Sequence, residues 1–167
     1  MNDRPSSSTR STDLAMLGIY LNDHLMGATA GVERVRHLVR TVRGSALARA
    51  LGPVAAEIAQ DRTSLLGIMK ELGIPVRRYK VCAGWTAEKM GRLKSNGRLA
   101  RRSPLSTFME LERLGVEGKA AGWQTLHRLT ATEKRLDPQL LEDLLERARR
   151  QQSVVEEWRV RQAGSAF

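Results

Sequence analysis

The chain is poor in cysteine and aromatics: one cysteine, Cys82, and seven aromatic residues in 167. A lone cysteine closes no internal disulfide, and beside only three histidines it gives no Cys/His spacing of the zinc-binding kind. Cys82 therefore reads as a small buried hydrophobe, and a reducing compartment is expected. The sequence has no apolar run of about 18 residues, which excludes a spanning helix. Residues 1–13 are Ser/Thr-rich and polar, without the apolar centre of a secretory leader. A disordered tail over 1–13, a cytoplasmic location and no membrane partner are the expectations.

What is abundant is the helix former. The hydrophobic share is 41%, drawn largely from Leu, Ala and Val, and Arg, Glu, Lys and Gln fill the space between. An all-α fold follows. Leu14, Leu17, Leu21, Leu25, Ala28, Val32, Val35, Val39 and Val42 recur at three and four, so a helix of about 30 residues is expected over 14–43, roughly 45 Å long, capped by Asp13. A second stripe, Leu47, Leu51, Val54, Ile58, Leu65 and Leu72, predicts a helix over 47–72, with Pro53 in its second turn and Gly73 and Pro75 as its stop. Joined by Gly44-Ser45-Ala46, the two must form an antiparallel hairpin. A second hairpin is expected from helices over 104–130, opened by Ser103 and Pro104, and 138–162, capped by Asp137. Gly115, Gly118 and Gly122 line one side of the third helix, each at a cost of about 1 kcal/mol against Ala, which suggests close approach by another segment.

Between the hairpins, residues 73–103 hold nine Lys/Arg against one acid, Glu88, so that +8 of the chain's +10 net charge lies there. A shorter helix is expected over 81–94. A segment of this length can travel the length of a bundle and return the chain to the end it left. Two hairpins and one long crossover make a ferritin-like four-helix bundle, a single domain over 14–163. The pattern of helix lengths resembles the ferritin-like superfamily over roughly 14–162. More narrowly, the runs Tyr20-Leu-Asn-Asp-His24, Trp85-Thr-Ala-Glu-Lys89 and Leu114-Gly-Val-Glu-Gly-Lys-Ala120 resemble a family of uncharacterised bacterial proteins assigned to that superfamily.

Bundles of this type hold two metal ions with inward carboxylates and Glu-x-x-His pairs, because residues at i and i+3 share a helix face. None of His24, His37 and His127 has a Glu three residues before it; Glu57 is followed by Gln60 and Glu156 by Arg159. The usual di-iron site is absent. Counting residues from the turns places four polar residues, His24, Asp61, Glu117 and Gln151, in one mid-bundle layer. Ordinary polar pairing in the core is the plainer reading; a weak iron or manganese site on His24, Asp61 and Glu117 is the sharper one. A second carboxylate group, Glu33, Glu57, Glu112 and Glu156, reads as solvated.

The basic segment offers Lys89, Arg92, Lys94, Arg98, Arg101 and Arg102 as phosphate contacts, although no nucleic-acid-binding motif accompanies them. An apolar side of helix one, at Ile19 and Leu38, would serve a homodimer. The favoured function is a non-catalytic binding or structural bundle. Two alternatives stay open: a metal-binding protein or oxidoreductase with an altered mid-bundle site, and nucleic-acid or anion binding through the basic crossover.

Overall fold

The computed structural model describes residues 7–77 and 104–164, with side chains over 13–77 and 112–162. It contains four helices: α1 (Ser7–Thr41), α2 (Ala46–Glu71), α3 (Pro104–Leu129) and α4 (Pro138–Gly164). No strand occurs among the described residues. No helix there is long and apolar enough to cross a membrane. The expected fifth helix over 81–94 and the basic cluster from Lys89 to Arg102 lie outside the described residues.

The long α1 begins at Ser7 rather than at residue 14, so Asp13 is an exposed residue within it and not its cap. Residues 7–13 contain neither Gly nor Pro, and once a helix is nucleated each Ser or Thr costs only a few tenths of a kcal/mol. The turn to α2 uses Gly44, whose φ of +82° suits a residue without Cβ. Ser45 then caps α2 from an extended backbone, its Oγ accepting the Ala48 N–H at 3.1 Å. Pro53 lies within α2 with its ring exposed. At the far end Gly73, with φ +68°, closes a Schellman motif: its N–H donates to the Lys70 carbonyl and the Ile74 N–H to the Met69 carbonyl. Ile74 and Met69 are both buried, which adds the hydrophobic contact such a cap needs. The carboxylate of Asp137 caps α4 as expected, accepting N–H bonds from Gln139 and Leu140.

Packing fixes the arrangement. The neighbours of α1 are α2 and α3, and those of α4 are α3 and α2. Across α1 and α3, Tyr20 meets Thr125 and Arg34 meets Glu112, so these helices are antiparallel. Across α2 and α4, Glu57 meets Gln151 and Gln60 meets Arg147, again antiparallel. It follows that α2 and α3 run parallel and sit on a diagonal. Arg135, in the turn between α3 and α4, donates from Nη1 to the Leu72 carbonyl at 3.1 Å, which ties the end of α2 to that turn. The same guanidinium grips Glu133 through Nε and Nη2 and lowers its pKa to about 2. The chain thus leaves α2 at one end of the bundle and re-enters α3 at the other. Leu21, Val35, Leu51, Met69, Leu126 and Leu141 fill the centre between the four helices.

Because any side chain at position 73 is forced into the left-handed region, Gly73→Ala is expected to lose about 1–2 kcal/mol in urea unfolding. An unchanged midpoint would count against this cap.

Candidate functional site

The stripe of α2 that faces the core runs Leu51, Val54, Ile58, Asp61, Leu65 and Ile68, so the apolar periodicity itself carries Asp61 inside, at 1% exposure. Alternating steps of four and three along α3 give its inward positions, Glu112, Val116, Lys119, Trp123 and Leu126. Lys119 Nζ lies 2.5 Å from Asp61 Oδ2 and also donates to Gln151 Oε1 of α4. Gln151 Nε2 reaches Asp61 Oδ2 at 3.3 Å and Glu57 Oε2 at 2.9 Å. Arg147 brings Nη1 to 3.4 Å from Asp61 Oδ1. That approach is an ion pair without hydrogen-bond alignment, for Oδ1 accepts no bond among the described residues, and the same Nη1 donates to Gln60 Oε1 at 2.8 Å. Burial pushes the Lys119 ammonium below its ordinary pKa, and Asp61 opposes the shift.

Of the expected layer, Asp61 and Gln151 meet. Glu117 does not join them: its side chain is 58% exposed and lies 3.7 Å from Arg113 on the outside of α3. One residue beyond inward-facing Val116, it is rotated about 100° from the core. The place it was expected to fill belongs to Lys119, a cation. His24 stands apart from the cluster, its ring edge-on to Tyr20 at 4.4 Å. Among the described residues no three of His, Cys, Asp or Glu are placed to hold a metal ion, so His24, Asp61 and Glu117 do not form the ligand set considered above. The two positions where a di-metal bundle would carry histidine have other partners: Gln60 accepts from Arg147, and Arg159 pairs back onto Glu156 at 2.7 Å. The second carboxylate group is not uniformly solvated. Glu112 is buried at 4% exposure and Glu57 half-buried, because both fall on inward faces. Leu38 is buried in the core, so of the two residues expected to face a partner only Ile19 is exposed.

Beside the cluster, a cleft of about 460 Å³ opens between α1 and α3. Asp61 and Lys119 lie at its base with Ile58 and Leu65, and its surface is mainly apolar. The glycines explain its shape. A Cβ placed on Gly27 or Gly118, which face this space, would meet nothing within 4 Å. At the flanks, side chains of α1 reach over α3: the His24 ring would lie 3.1 Å from a Cβ on Gly122, and Arg34 Nη2 3.6 Å from one on Gly115. The α3 glycines therefore admit two side chains and leave a gap between them at Gly118.

Each of these side chains is electrostatically particular. Burial lowers the His24 pKa, with Asp23 opposing, so its imidazole is neutral at pH 7; it makes no hydrogen bond among the described residues. Arg34 donates from Nε to Glu112 Oε1 at 3.2 Å. Burial pushes the Glu112 carboxyl up, against the pull of Arg34 and Lys119. Trp123 lines the wall, and its buried Nε1 has no acceptor among the described residues. Lys119 was missed in the sequence because it is charged, although its place in the four-three repeat of α3 marks it as inward. Searches against protein-family models, curated proteins and solved structures find no match for this chain.

The lowered pKa of His24 has a definite sign. Below about pH 6.5 the unfolded chain takes a proton that the folded imidazole resists, so stability falls from there toward the folded pKa. Urea unfolding at pH 7.5 and 5.5 is expected to show a smaller loss in His24→Gln than in the parent. An identical loss in both would remove His24 as the cause.

Proposed function

We propose that the chain is a cytoplasmic, non-catalytic ferritin-like bundle whose lateral cleft binds a small molecule. The ferritin-like reading is supported by the parallel, diagonal placement of α2 and α3, since an all-short-loop bundle would set them side by side and antiparallel. The connecting segment is long enough to cross the bundle and to carry a short fifth helix.

The observation that carries the binding reading is the cleft itself, about 460 Å³ and mainly apolar, with Asp61 and Lys119 at its base. Gly27 and Gly118 open onto it, and no neighbour fills the space a side chain would take at either. The cleft's size and its apolar wall with a few inward polar groups suit a small organic ligand. The altered-metal reading gains no such support among the described residues.

A fluorescent apolar probe, 1-anilinonaphthalene-8-sulfonate, tests this. It is expected to bind the parent at one site and to bind Gly118→Leu at least tenfold more weakly, while the variant keeps its helical circular dichroism. Equal binding to both would overturn the reading.

A second reading rests on the concentration of positive charge over residues 73–103. Lys89, Arg92, Lys94, Arg98, Arg101 and Arg102 would contact a polyanion such as a nucleic acid. Affinity for duplex DNA is then expected to fall steeply as salt rises. Binding no tighter than millimolar at low salt, or insensitive to salt, would discard it.

A further inference from the structure

We infer that the cleft takes a flat, largely apolar molecule about 10 Å long that ends in a carboxylate, with the carboxylate on Arg34 and the other end at His24; this rests on the cleft reading above. The length comes from α3. Gly115 and Gly122 mark the two places where α1 side chains cross it, and seven residues of helix span about 10.5 Å. Between those crossings lies the open space at Gly118.

Direction comes from the polar groups at each end. A guanidinium has five N–H donors, and Arg34 spends only Nε, on Glu112. Its two Nη groups make no hydrogen bond among the described residues, Nη2 lies over Gly115, and the side chain is 31% exposed. A free planar fork at the end of an apolar cleft suits the two oxygens of a carboxylate. Arg62, on the same cleft, donates from Nε to Thr29 Oγ1 and has no carboxylate partner among the described residues. The remaining cation, Lys119, is spent on Asp61 and Gln151. At the opposite end stands Asp23, exposed beside His24, which repels an anion from that end. His24 presents a neutral imidazole there, able to exchange a hydrogen bond with a hydroxyl or to pack against a ring. Asp61 is matched by Lys119, and Glu112 by Arg34 itself through Nε, so Arg34 offers a ligand its two Nη donors while Arg62 supplies the charge on this cleft that no acid among the described residues matches.

The test uses 6-hydroxy-2-naphthoate as probe and 2-naphthol as its partner without the carboxylate, both titrated by calorimetry. The parent is expected to bind the naphthoate at least tenfold more tightly than the naphthol. In Arg34→Met/Glu112→Met, which removes the pair together and strands neither partner, that advantage is expected to vanish while naphthol affinity stays within about twofold. Arg34→Lys, which keeps the charge and loses the fork, is expected to fall between and serves if the double variant does not fold. Gly118→Leu is expected to lose both probes. Equal binding of the two probes to the parent, or an advantage that survives loss of Arg34, would overturn the carboxylate and leave the cleft reading standing. Failure of both probes to bind the parent would overturn the two together.

Discussion

The buried carboxylate of Asp61 organises this bundle. Asp61 brings a charge from α2 into a core that otherwise excludes water, and that charge is tolerable only with partners. Lys119 of α3 and Gln151 and Arg147 of α4 supply them, so three helices are tied at one level by groups that must find each other. Apolar stripes would permit a helix to slide by a turn at moderate cost. Sliding here would strand an ion, which costs more than any one apolar contact. Specification of register is therefore the role this cluster suits, whatever its net effect on stability.

The cluster and the cleft are consequences of one another. Turning Lys119 toward Asp61 orients α3 so that Gly115, Gly118 and Gly122 face α1. With no side chains on that face, Arg34 and His24 of α1 cross onto α3 at two points and the space between them stays open. The same rotation sends Glu117 to the outer surface. One choice of helix rotation thus determines the buried ions, the open space and the polar groups at its ends.

Much of this was legible in the residues. The apolar stripes of α1 and α2 located their helices, and capping chemistry at Ser45, Gly73 and Asp137 explains where elements begin and end. Counting from the turns brought Asp61 and Gln151 to one level, because rise per residue is a constant of the helix. Levels are not faces, however. Glu117 was placed correctly along the axis to within two residues and wrongly around it, since a carboxylate was sought where the four-three repeat from Val116 to Trp123 already pointed to Lys119. The glycines of α3 were read as a surface for close approach, and only three-dimensional placement distinguishes a contact from a gap. The start of α1 was set too late because Ser and Thr were weighed as tail residues, although nothing in 7–13 stops a helix.

A double-mutant cycle on Asp61 and Lys119, followed by urea unfolding, tests most directly whether this buried pair governs the bundle. Asp61→Leu and Lys119→Leu each strand a buried partner and are predicted to lose about 3–5 kcal/mol, while the double variant, in which only the partly exposed Arg147 loses a counter-ion, is predicted to lose less than either. Losses that simply add in the double variant would contradict the account.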